Sequence, residues 1–183
     1  MASNRIVIIL LSILIPQCVF AQSQKFSEYE IKAAFLEKFT RFVEWPAEVN
    51  IEDVNKPFVI GVIGENPFNS ILAKMYSEQK IKSKKVEIRS IFSPDELPDC
   101  HLLVIAESVN NITHQLLTQA RKLPILTINV EKEYSIKGVQ ISLFVESNYI
   151  RFEIDKDAVK QSGLYFSSLL LKMSKTRNAE ESK

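Results

Sequence analysis

The chain has 183 residues, 46% of them hydrophobic and 25% charged, with 23 basic and 22 acidic side chains and a formal net charge of +1. This balance excludes the basic excess that marks a nucleic-acid binder. The length fits one domain, since chains of about 150 residues bury about 70% of the surface that their unfolded form exposes.

Met1 to Ala21 carries one charge, Arg5, then an apolar run from Ile6 to Ile15 and a closing Val19-Phe20-Ala21. This is the layout of a secretory signal peptide, too short and poorly flanked to be preferred as a membrane span, with cleavage expected after Ala21. Bulky Pro16 and Gln17 before Cys18 argue against lipidation. Loss of the leader removes Arg5 and leaves 22 basic side chains against 22 acidic ones, a neutral mature chain. It also leaves Cys100 as the sole cysteine, so no internal disulfide forms and a buried thiol is the plain expectation. Residues 22–175 then read as a single α/β domain and 176–183 as a disordered tail.

Ser27-Glu28-Tyr29-Glu30 has the form of a capping box and predicts a helix start at Ser27. Ile31, Phe35, Phe39, Phe42 and Val43 recur at helical spacing, with Lys32, Glu37, Lys38 and Arg41 elsewhere on the wheel. Pro46 biases Trp45 away from helical geometry and is expected to end the helix. The aromatic stripe reads as core; alternatively, Phe42, Glu44, Trp45 and Pro46 at the exit turn form a recognition surface.

Phe58 to Ile63 is a continuous apolar run, the pattern of a strand buried on both faces. Asn66 and Pro67 suit the cap and first position of a helix running to about Tyr76. Val86 and Ile88 mark a second strand, Leu102 to Ala106 a third and Ile125 to Val130 a fourth, with a helix over about Asn110 to Leu123 between the last two. Val139 to Val145 and Tyr149 to Ile154 lie close enough across Glu146-Ser147-Asn148 to form a hairpin. Asp155 can cap a final helix in which Val159, Gly163, Phe166, Leu170 and Met173 share one stripe, with Leu169 beside it. Gly163 costs that helix roughly 1 kcal/mol relative to alanine, so a close backbone approach is the expected reason for it. The whole predicts a mainly parallel, mixed central sheet of about six strands flanked by helices, with a C-terminal antiparallel hairpin and last helix.

Chemistry is sparse. Gly61 and Gly64 lack the spacing of a dinucleotide fingerprint or a phosphate loop, and Glu65 opposes a phosphate at that helix start. Asp99, Cys100 and His101 are adjacent and point to alternate faces, so they do not converge on a metal. No serine occupies a nucleophile elbow, and Cys100 lacks the flanks of a catalytic thiol. The positions of a receiver-domain acidic cluster offer only Glu65 and Glu107. No catalytic, cofactor or metal residue is therefore assigned. If a small ligand binds, the default place is the crevice beyond the first and third strands, near Gly64, Glu65, Phe68 and Glu107. Lys80, Lys82, Lys84, Lys85 and Arg89 cluster around the second strand without aromatic residues to stack bases; they read as a solvated face, or as contact with an acidic partner.

Five segments in order, Lys32-Ala33-Ala34-Phe35-Leu36 with Phe42-Val43-Glu44-Trp45-Pro46, Ile60-Gly61-Val62-Ile63-Gly64 with Pro67-Phe68, Cys100-His101-Leu102-Leu103, Arg151-Phe152-Glu153-Ile154, and Ser167-Ser168-Leu169-Leu170-Leu171-Lys172, resemble the YfiR-like family of exported bacterial proteins. The resemblance implies a non-enzymatic periplasmic regulator. Its best-understood member represses YfiN, an inner-membrane diguanylate cyclase, through the cyclase's periplasmic sensory domain, lowering cyclic di-GMP and biofilm formation. The implied partner is thus the periplasmic domain of an inner-membrane signalling protein, with a homodimer as a further expectation. Phe42, Glu44, Trp45, Pro46 and His101 are the expected contact residues. A stand-alone small-ligand or envelope-polymer binding module is the alternative.

Overall fold

The structure, a computed structural model, describes residues 17–64, 67–106, 111–131 and 136–174. The expected leader up to residue 16, Glu65, Asn66, Glu107, residue 175 and the expected tail over 176–183 lie outside the described residues.

The apolar run Phe58–Ile63 (β2) is buried throughout and lies inside the sheet. Parallel to it run Lys84–Ser90 (β4) on one side and Leu102–Ile105 (β5) on the other; Leu126–Asn129 (β6) and Ile141–Glu146 (β7) continue beyond β5. Lys80–Ile81 (β3) and Tyr149–Ile154 (β8) add antiparallel edges, giving seven strands in the order β3-β4-β2-β5-β6-β7-β8. The additional strand over the expected six is β3, only two residues long. It forms because Lys82 and Ser83 take positive φ and close a two-residue hairpin, as Ser147 and Asn148 do between β7 and β8.

Strand alternation distributes two cores. Phe58, Ile60, Val62, Leu102, Val104 and Ile128 face a first core that also takes in Phe39, Phe68 and Leu72. These last three come from the helices Gln17–Thr40 (α1) and Pro67–Tyr76 (α2). Val59, Ile63, Leu103 and Ile105 face a second core with Leu116 and Leu117 of Asn111–Ala120 (α3). Gly61 is a strand glycine required by close approach: a Cβ there would lie 2.7 Å from Ile91 Cγ1 and 2.9 Å from Cys100 Sγ. The seam between β6 and β7 has only two paired residues, and buried Gln140 reinforces it. Its side chain accepts from Thr127 N (2.8 Å) and donates to Ile125 O (3.2 Å).

Three local expectations are corrected. Ser27 does not open α1; the helix runs from Gln17, with no proline or glycine to interrupt it. From residue 28 onward its buried residues are Tyr29, Lys32, Ala33, Leu36, Phe39 and Thr40, whereas Ile31 is 47% exposed. The stripe is rotated because Lys32, expected outside, turns inward and is almost wholly buried, with Nζ bonded to Val130 O and to Glu28 Oε1 at 2.8 Å. The helix also ends at Thr40, before Phe42: Arg41 N and Phe42 N bond back three residues to Lys38 O and Phe39 O, tightening the last turn.

The expected last helix is two helices. Asp155 does cap the first, Lys156–Gln161 (α4), accepting from Asp157 N and Ala158 N at 2.9 and 3.0 Å. Gly163 then takes φ +71°, and a Cβ added there would meet nothing within 4 Å, so it serves a left-handed turn and not a close approach. Tyr165–Phe166 (β9) follows, then Ser168–Met173 (α5). The stripe is divided accordingly: Phe166 and Leu170 are buried, while Leu169 and Met173 are each 53% exposed. Among the described residues, no helix is long and apolar enough to cross a membrane.

Candidate functional site

The residues singled out at the exit of α1 are held by a contact between distant parts of the chain. Val43–Glu44 (β1) pairs antiparallel with β9, placing Val43 opposite Phe166 and Glu44 opposite Tyr165. Ser167 N donates to Phe42 O at 2.9 Å, and the Ser167 hydroxyl accepts from Leu170 N at 3.2 Å, so the residue that joins the exit turn also caps α5. Val43, Phe166 and Leu170 are buried beneath this junction. Above it, Glu44 is exposed, Phe42 and Pro46 are half-buried, and Tyr165, Leu169 and Met173 present large apolar side chains to solvent. Leu169 and Met173 are four residues apart and share a face of α5.

Trp45 is placed differently. It is 8% exposed and packs edge-on against Phe58, with ring centroids 5.8 Å apart. Lys82 Nζ lies 5.7 Å from its ring centroid, tying the β3–β4 turn to the α1 exit. The indole Nε1 has no partner among the described residues. Trp45 therefore supports the exit surface from below.

On the other side of Phe58, the His101 ring stacks at 5.0 Å between centroids and 25° between planes. Val59 N donates to His101 Nδ1 at 3.1 Å, which leaves the proton of the neutral ring on Nε2. Burial chiefly, and then the positive charge of Lys84, hold its pKa down to about 4. Trp45, Phe58 and His101 thus form one aromatic series across the start of β2. A cleft of about 540 Å³ lies alongside, lined by Lys56, Arg89, Asp99, Cys100, His101 and Pro124 among others. Burial pushes the Cys100 thiol up to about 11, and its Sγ faces Glu96 O at 3.5 Å. Among the described residues, no three His, Cys, Asp or Glu side chains gather as a metal cluster.

The opposite, carboxyl end of the sheet is built around α1. Lys32 bonds Val130 O and Glu28, and Tyr29 donates to Glu131 Oε1 at 2.7 Å. Burial and the Glu131 carboxylate raise the Tyr29 phenol well above its ordinary range. Of the expected crevice residues, Gly64 takes φ +109° at the end of β2, and Phe68 is fully buried with its ring 5.4 Å from that of Tyr29. Glu65 and Glu107 are outside the described residues.

The folded chain therefore brings Trp45 and His101 together through Phe58 and separates both from Gly64 and Phe68. Met173 and, beside it, Leu169 escape a reading of the sequence because their spacing matches a buried stripe; Tyr165 lies outside that stripe, and the helix expected there hides its pairing with Glu44. The one signal for them was Gly163, whose preference for positive φ interrupts that helix. No curated protein matches the chain. The profile described as YfiR/HmsC-like matches residues 29–175, the greater part of the chain, which therefore belongs to the YfiR/HmsC-like family.

Proposed function

We propose that this protein is an exported, non-enzymatic regulator that binds the periplasmic sensory domain of an inner-membrane diguanylate cyclase. By restraining the cyclase it lowers cyclic di-GMP and biofilm formation. Family membership supports the regulatory role, and the leader-like layout of Met1 to Ala21 supports export. The observation that carries the contact surface is the exposure of Tyr165 opposite Glu44, and of Leu169 and Met173 on the adjoining α5, over the buried Val43, Phe166 and Leu170. Binding one conformation of the sensory domain shifts its population and so changes output across the membrane.

The test is calorimetric titration of the purified mature chain with the ectodomain of the cognate cyclase. Leu169→Glu with Met173→Glu is expected to weaken binding at least about tenfold while the circular-dichroism melt stays unchanged. Deletion of the gene is expected to raise cellular cyclic di-GMP. No heat of binding together with unchanged nucleotide levels rejects the cyclase reading. Tight binding by the double variant with a raised nucleotide level in the deletion strain rejects the surface alone.

A further inference from the structure

β4 has seven residues, but β3 covers only its first two: Lys80 pairs with Lys85 and Ile81 with Lys84. From Val86 to Ser90 the outer edge has no partner strand among the described residues, although the inner edge is paired with β2 over that same stretch. In a parallel strand every second N–H and C=O points away from its neighbour, so this edge offers a row of backbone donors and acceptors. A groove of about 510 Å³ runs beside it, walled by Ala73, Tyr76 and Ser77 at the end of α2 and by Lys80, Lys85 and Ile88 on the sheet side, among others.

The side chains along this edge are sorted by face. Val86 and Ile88 point toward the first core and are only partly buried against it. Lys85 is on the other face, directly opposite Lys80, and both are exposed. Like charges facing each other across a strand pair are unfavourable, so the hairpin holds two cations together at a cost to itself. Of the acidic side chains on the groove wall, Glu87 is already paired with Arg89 at 2.7 Å, and Glu78 lies on the helix side.

We propose that the β4 edge takes up an extended segment of a partner protein as an added strand, and that this segment alternates apolar and acidic residues. Its backbone completes the ladder along Val86–Ser90. Its apolar side chains cover Val86, Ile88 and Tyr76, and its carboxylates meet Lys80 and Lys85. The site is distinct from the Tyr165–Met173 surface, and its occupation does not depend on the cyclase reading.

The probe is a short fluorescein-labelled peptide alternating glutamate and valine, titrated with the mature protein and followed by anisotropy. Saturable binding is expected, weakened at least about tenfold by Lys80→Glu with Lys85→Glu, two exposed changes. A peptide N-methylated at alternate backbone positions keeps the side chains and loses the ladder, and it is expected not to bind; this arm needs no protein variant. Absence of saturable binding, equal binding by the charge-reversed protein, or equal binding of the N-methylated or a lysine-valine peptide overturns the proposal. So does a homodimer, seen by sedimentation, that the glutamate-valine peptide dissociates, because it assigns the edge to a second copy.

Discussion

The two ends of the sheet bury basic side chains in opposite ways. At the carboxyl end Lys32 is almost wholly buried, yet its Nζ meets a carboxylate and a backbone carbonyl. At the amino end His101 accepts a backbone N–H through Nδ1, stacks on Phe58, and feels the charge of Lys84 more strongly than that of Asp99. A cation with partners can be buried, whereas a ring whose burial outweighs any anionic neighbour is driven neutral. One end is thus a fixed attachment for α1, and the other responds to acid within the range that histidine senses.

Removing the attachment has the largest expected effect. Lys32→Ala leaves Glu28 and Val130 O without their shared partner and is expected to cost about 3 kcal/mol of unfolding free energy. Lys32→Met keeps the aliphatic stem and is expected to cost less. Urea denaturation of both proteins, with far-ultraviolet circular dichroism to follow α1, checks the order. Equal losses would mean that pairing, and not packing of the stem, holds the helix.

The amino end gives a smaller effect with a defined sign. The folded-state pKa of His101 is lowered to about 4 from an unfolded value of about 6.5, so the unfolded chain binds the proton more readily. Stability from this group is fully present above about pH 6.5 and is lost as pH falls from there toward 4, by about 2 kcal/mol at most because the ring keeps some contact with water. His101→Gln keeps an acceptor for Val59 N and removes the titration, so its stability is expected to fall less than the wild type's between about pH 6.5 and 5. Parallel pH profiles for the two proteins would remove His101 as the sensor.

The smallest effect is on chemistry. With its pKa pushed up to about 11 and its side chain buried, the Cys100 thiol is expected to react with a disulfide reagent at about pH 8 far more slowly than free cysteine. It should reach the free rate only in denaturant. Rapid labelling of the native protein would show that the amino-end cleft opens to solvent.

The layered α/β fold and the main strands were legible in the chain itself. Phe58–Ile63 is apolar at every position, and Tyr149–Ile154 alternates, so burial on two faces and on one could be read directly. Asp155 as a cap needed only its own side chain and the amides of Asp157 and Ala158. Of the residues expected at the exit turn, Glu44 is exposed and Pro46 half-buried, whereas Trp45 is buried, because its ring packs on Phe58.

What the sequence by itself determined is local: periodicity, caps, hairpin turns and the family pattern depend on residues a few positions apart. The tertiary structure alone decided the pairings that span the chain. Val43–Glu44 became a strand because Tyr165–Phe166 supplies the other half of its ladder, and Lys32 turned inward because Val130 O waits more than ninety residues away. The division of the last helix belongs to both. Gly163 permits the turn by lacking a Cβ, but only the distant β1 rewards the chain for leaving the helix there.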